Sequence, residues 1–203
     1  GRRDGGRGRA RHGVPRGARY PWRSAHKALD PTPPYGMGPD GWMVPILSGL
    51  MEHHISADVA WGTWEYWKAT GDDAFMASMG VEMMLETARF WVPRSAVDGQ
   101  GRYHINVVVG PDEYHEGVDD NAFTNVLARW NIRHALEAIA WLEKVDSGYA
   151  EDLQARLELP VPDLCGWRRV FPGRPCASRP EPLPSHPFPA LHGHADVPPA
   201  APH

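Results

Sequence analysis

Three carboxylates, a phenol and an imidazole fall within five residues at Asp112-Glu113-Tyr114-His115-Glu116. Directly before them runs Val107-Val108-Val109-Gly110-Pro111. A β-branched run favours extended, buried backbone. The Gly-Pro step stops it, because proline fixes φ and offers no N–H. A buried strand that ends in a turn carrying acids can hold a proton donor at the rim of a pocket, which is what general acid catalysis requires. The plainer reading is a solvated acidic loop, the usual fate of such a cluster. Two other groups bear on the choice. Trp22 beside Arg23 offers a flat apolar face that suits a sugar ring, although a tryptophan more often simply packs. Glu52, His53 and His54 place polar groups at the start of an apolar helix. The His-His pair lacks the HxxxH or matching carboxylate spacing of a metal site, so it reads as pocket lining and no metal is expected.

The elements that must position these residues are helices. Periodicity predicts a helix from about Leu50 to Thr70, ended by Gly71 as its C′ residue. Ile55, Val59, Gly62 and Tyr66 share one face, and Trp61, Trp64 and Trp67 cover much of the rest, as in a helix buried on more than one side. Asp72 or Asp73 caps a second helix that runs to about Val92 and stops at Pro93. Its stripe reads Met76, Met79, Met83, Thr87, Phe90 and Trp91. Tyr103 to Val109 is the strand leading into the acids. Asp119 and Asp120 are N-cap candidates for a third helix over about Asn121 to Val145. Gly148 breaks the pattern, a short helix covers Tyr149 to Leu157, and Pro160 ends it. The expected fold is all-α with one strand-loop insertion bearing the acid, its helices arranged as in an α/α toroid.

Composition divides the 203 residues into three parts. Residues 1–19 hold seven Arg and six Gly, and residues 160–203 hold twelve Pro, so both ends are expected to be disordered. Residues 20–159 carry ten Lys+Arg against twenty-one Asp+Glu and eight of the nine Trp. An acidic, Trp-rich core excludes nucleic acid and anionic membrane as natural partners. The Arg/Gly head also lacks the interleaved aromatics that stack on bases. Both cysteines, Cys165 and Cys176, lie in the tail, so the core offers no disulfide framework. No apolar run approaches a membrane span and no secretory signal is apparent, which places the expected location in the cytoplasm.

Four blocks carry a resemblance. They are Tyr20-Pro21-Trp22-Arg23-Ser24, His54-Ile55-Ser56-Ala57-Asp58-Val59-Ala60 with Tyr66-Trp67, Met84-Leu85-Glu86-Thr87-Ala88-Arg89-Phe90-Trp91, and Gly110 through Asp119. In this order, over residues 20–159, the chain resembles the central catalytic domain of glycoside hydrolase family 65, which includes maltose, trehalose and kojibiose phosphorylases. The resemblance implies a partial (α/α)6 barrel with Glu113 as general acid. It implies an inverting phosphorolysis of an α-linked glucose disaccharide, with inorganic phosphate as co-substrate, no cofactor, and β-glucose 1-phosphate as a product. A hydrolase of the same fold is the alternative. Trp22 matches a glucose-subsite position, Glu52 and His54 match polar positions near the acceptor, and Asp112, Tyr114 and His115 would position Glu113 or touch substrate. Family members are often homodimers.

The ends depart from that pattern. The family's upstream β-sandwich, its Phe-Trp-Asp block and its phosphate loop are not found in the sequence, and residues 25–30 differ from the usual text after Ser24. On this reading the head and tail lie outside the family, as in a truncated or frameshifted gene product without activity of its own.

Overall fold

The structure, a computed structural model, describes residues 17–23 and 30–170. The chain divides into a unit over Gly1–Pro172 and a second over Gly173–His203, and the second lies outside the described residues. Residues 1–16 and 171–203, where disorder was expected, therefore fall outside the description, as do residues 24–29.

The described chain is all-α with two small hairpins. Strands β1 (Tyr35–Met37) and β2 (Met43–Pro45) pair antiparallel and lead into a single turn, α1 (Ser48–Met51). Helix α2 (Ile55–Thr70) follows, then α3 (Asp73–Phe75), which continues through a π-turn at Met76–Gly80 into α4 (Val81–Arg94). The insertion holds β3 (Ala96–Val97) and β4 (Tyr103–His104). Then come α5 (Ala122–Val145), α6 (Ser147–Arg156) and α7 (Val161–Val170).

The expected helix from Leu50 is interrupted. Glu52 adopts φ −86°, ψ 85°, so the chain turns between α1 and α2. Gly71 ends α2 in the left-handed conformation (φ 66°), as glycine permits. The buried face of α2 is Ser56, Ala57, Ala60, Thr63 and Trp64. The expected face of Ile55, Val59, Gly62 and Tyr66 is more open, with Tyr66 exposed. Small residues at 57 and 60 allow neighbouring helices to approach closely, and they outweigh the larger aliphatic side chains in setting the face.

The second helix differs for a geometric reason. Asp72 caps it, accepting from Phe75 N at 2.9 Å. The π-turn at 76–80 then adds a residue to one turn and rotates the buried stripe. Met76, Thr87, Phe90 and Trp91 are buried as expected, Met79 is exposed and Met83 half-buried, and Val81, Met84, Leu85 and Ala88 complete the stripe. Pro93 sits inside the last turn, and the helix ends one residue later at Arg94.

Helix α5 is capped by Asn121, which accepts from Thr124 N at 3.0 Å. Asp119 and Asp120, the expected caps, instead bind the insertion. Asp119 accepts from Val107 N, and Asp120 takes His104, Ile105 N and Asn125. Helix α5 packs along α4 and buries Leu127, Ala128, Ile132, Ala135, Ala138 and Ile139 in the core. The α5–α6 break falls at Asp146, not Gly148. Asp146 takes φ −152° and caps α6 by accepting from Tyr149 N at 2.9 Å.

The described chain also passes both expected boundaries of the folded part. At the head, Ala18 N donates to Glu86 O at 2.9 Å. Gly17, at φ 106°, lies so near α4 that a Cβ there would sit 2.4 Å from Phe90 N, a place only glycine can occupy. At the tail, α7 buries Leu164 and Trp167 against the core, so Pro160 is a helix boundary and not the end of the fold.

Asn131 ties the two central helices at the core. Its fully buried amide accepts from Trp91 Nε1 (3.2 Å) and donates to Met84 O (3.3 Å). Asn131→Ala leaves the buried indole N–H unpaired and should cost about 2 kcal/mol in urea unfolding. A loss indistinguishable from zero would show that these bonds carry no net stability.

Candidate active site

The turn between α1 and α2 builds the site. Glu52 is 0% exposed, although it is a carboxylate. Its Oε1 accepts from His54 Nε2 at 2.9 Å, and His54 Nδ1 faces Asp58 Oδ2 at 2.7 Å. The last contact is an i,i+4 pair across the first turn of α2. With a carboxylate at each ring nitrogen, His54 can donate from both only as an imidazolium. Burial lowers its pKa, but the bonds and charges of Asp58 and Glu52 outweigh that and hold His54 above its ordinary value. Burial pushes Glu52 up, His54 pulls it back, and the charges of Glu113 and Asp58 add to the rise. The other oxygen, Glu52 Oε2, is buried with no hydrogen-bond partner among the described residues. A buried acceptor left open in this way is suited to a hydroxyl donor.

Aromatic edges frame the imidazole. Trp22 meets His54 edge-on at 6.3 Å between ring centroids, and Phe123 from α5 does so at 5.0 Å. Asp30 fixes the Trp22 backbone by accepting from its N–H at 2.9 Å. Tyr20 N donates to Ser56 Oγ at 3.0 Å, which docks the same segment on α2.

The acid loop is anchored at a narrow neck. Val108 and Val118 form a reciprocal antiparallel bridge, with bonds of 3.0 and 2.9 Å. Val109 N donates to Met51 O at 3.1 Å, which joins the loop to the α1–α2 turn. Gly110 lies against Asn121, where a Cβ would come within 2.5 Å of the side-chain amide. The continuous strand expected over Tyr103–Val109 is absent: only Tyr103–His104 pairs as a strand, and Val107 turns outward at φ 55°.

Beyond the neck, residues 111–117 are exposed. Asp112 organises the turn: it accepts from Tyr114 N at 3.0 Å and pairs with His115 Nδ1 at 2.7 Å. The bond from Tyr114 N and then His115 hold its pKa below the usual carboxylate range. Tyr114 is 97% exposed and projects from the loop. The structure thus brings Trp22, Glu52 and His54 together, while the charge of Glu113 adds to the rise in the Glu52 pKa. Asp112, Glu113, Tyr114 and His115 all lie on the exposed loop and, among the described residues, make no hydrogen bond with Trp22, Glu52 or His54. Asp58 and Phe123 belong to the site but were not singled out from the sequence, although the i,i+4 spacing of His54 and Asp58 on a helix was a usable signal. Among the described residues, no group of three His, Cys, Asp or Glu is placed to hold a metal ion, and no helix is long and apolar enough to cross a membrane.

A family model, described as the glycosyl hydrolase family 65 central catalytic domain, matches residues 2–171. The match includes the Arg/Gly head and the chain through α7, both of which the sequence reading had set outside the family. The chain is 44% identical over 156 residues to the kojibiose phosphorylase of Caldanaerobacter subterraneus subsp. tengcongensis, covering 76% of this chain and 20% of that protein. It is 37% identical over 119 residues to the kojibiose hydrolase of Flavobacterium johnsoniae, covering 59% and 16%. A solved structure from the human microbiome aligns with a TM-score of 0.51 at 24% identity, over 57% of this chain and 16% of that one. That likeness supports the helical fold. The chain spans about a fifth of the length of the curated phosphorylases it matches.

Next to the site, His53 is buried and its pKa falls to about 4, through burial first and then the charges of Arg19 and Arg94. A depressed imidazole favours the fold at pH above its unfolded value near 6.5, and that contribution is lost as pH falls through about 4. The loss should reach roughly 3 kcal/mol. Urea unfolding of His53→Gln between pH 7 and pH 4 should show a shallower decline than the unmodified chain. Equal declines would mean that His53 does not titrate in this window.

Proposed function

Because the chain belongs to glycosyl hydrolase family 65, we propose that it is the acid-bearing part of an inverting α-glucoside phosphorylase. The supporting observation is the presence of two carboxyls in unlike surroundings. Glu113 stands on an exposed loop, while Glu52 is buried, bonded to His54, and close enough for their charges to act on each other. Glu113 donates its proton to the glycosidic oxygen as the C1–O bond breaks. A phosphate oxygen attacks C1 from the opposite face, giving β-glucose 1-phosphate and the free acceptor sugar. Phosphate is already an anionic nucleophile, so this chemistry needs one catalytic carboxyl where an inverting hydrolase needs two. Trp22 supplies a wall for the glucose ring, and Glu52 Oε2 accepts from a sugar hydroxyl with His54 holding the carboxylate in place. Inorganic phosphate is the co-substrate and no cofactor enters. The similarity to a kojibiose phosphorylase supports an α-linked disaccharide of glucose as substrate.

A hydrolase is the second reading, favoured by the similarity to a kojibiose hydrolase. Incubating the whole protein that carries this segment with kojibiose, trehalose or maltose, with and without phosphate, separates the two. Sugar release that needs phosphate supports the phosphorylase, and release at the same rate without it supports the hydrolase. Glu113→Gln should lower disaccharide turnover by about 10²–10⁴-fold. An α-glucosyl fluoride needs no protonation of its leaving group and should be largely spared. Glu116→Gln should retain most activity. If Glu116→Gln is inactive and Glu113→Gln is not, the acid has been misassigned.

A further inference from the structure

Arg94, the last residue of α4, joins three parts of the site and pairs with no carboxylate among the described residues. Its Nε donates to His53 Nδ1 at 3.2 Å, and its Nη2 donates to Asn106 O and to Val107 O, the latter at 3.2 Å. The tautomer of His53 is consistent with this. Nε2 faces Leu50 O at 2.9 Å and must carry the hydrogen, so Nδ1 is free to accept from Arg94. Burial and the nearby Arg19 lower the Arg94 pKa, as expected of a guanidinium whose bonded partners are all neutral. A partly buried cation held only by neutral acceptors is a poor stabilising device. Its fixed fork of donors is well suited to holding several acceptors in register.

The acceptors lie where register matters. Val107 is a β-branched residue at φ 55°, a conformation such residues rarely adopt. It is held from both sides, its N–H by Asp119 Oδ1 at 2.8 Å and its carbonyl by Arg94. It opens the neck of the acid loop, one residue before the Val108–Val118 bridge. His53 is the neighbour of both Glu52 and His54. We propose that Arg94 is a positioning residue that fixes the base of the Glu113 loop against the Glu52–His54 pair. The proposal rests on the reading of Glu113 as the acid. Loss of Arg94 should leave sugar binding nearly intact and impair proton delivery, because small misplacements of a catalytic group cost rate disproportionately.

Two measurements test it. In the 203-residue chain, Arg94→Met should speed amide hydrogen exchange over residues 107–118 by about tenfold or more, with α5 unchanged. In the whole protein, the same substitution should lower kcat on the disaccharide by about 10–100-fold with little change in KM, and leave α-glucosyl fluoride turnover nearly unaffected. Arg94→Lys should recover part of both effects, since an ammonium can still donate to the two carbonyls; it also serves if Arg94→Met does not fold. Parallel loss on both substrates, or unchanged loop exchange, overturns the proposal. The exchange measurement does not depend on the chemistry. Full activity in Glu113→Gln would therefore overturn the acid assignment, whereas unaltered exchange in Arg94→Met would overturn the clamp.

Discussion

A carboxylate with no exposed surface, Glu52, governs the arrangement around it. An ionised group in that position is tolerable only with a close partner and a further bond on that partner. His54 supplies the first, and Asp58, one helical turn on, supplies the second. The requirement explains the break in the helix: Glu52 must leave helical geometry so that the chain can turn between α1 and α2. It also accounts for the aromatic edges of Trp22 and Phe123 on His54, which exclude water and draw the segment near Tyr20 and the start of α5 to one place. The acid loop is joined to the same turn by the bond from Val109 N to Met51 O.

Burial distinguishes the two carboxyls, Glu52 and Glu113. Glu52 commits one oxygen to His54, and its other oxygen is buried with no hydrogen-bond partner among the described residues. Glu113 lies on a solvent-exposed loop. The helical core behind them, α4 against α5 with Asn131 and Trp91 at its centre, keeps the two supports at fixed spacing. In the proposed mechanism the exposed group delivers a proton, and the buried one serves binding and does not activate a nucleophile.

Much of this was legible in the sequence where local chemistry decides structure. Gly71 and Asp72 lie where capping rules place them. Helix α5 begins within one residue of its expected start, although Asn121 and not Asp119 or Asp120 caps it. Glu113 lies at a turn after Gly110-Pro111. The misreadings share a cause, since each depended on contacts distant in sequence. The π-turn at 76–80 rotated the methionine stripe, a change that a constant period of 3.6 cannot register. Val107 turned outward because Asp119 and Arg94 bind its backbone from other elements. Helix α7 was obscured by Pro160 and Pro162, although Leu164 and Trp167 share one face at a three-residue spacing. Asp58 and Arg94 were overlooked because a charged residue on a helix reads as surface until its partner is known.

The central claim is that one carboxylic acid serves this site and that the nucleophile is supplied by phosphate on the opposite face of the sugar. The most direct test is proton NMR of the anomeric region during the first minutes of reaction of the whole protein with kojibiose and phosphate. The account predicts that β-glucose 1-phosphate is the first phosphorylated sugar to appear. Initial accumulation of α-glucose 1-phosphate would contradict inversion, and free glucose from the non-reducing unit without any glucose phosphate would contradict phosphorolysis.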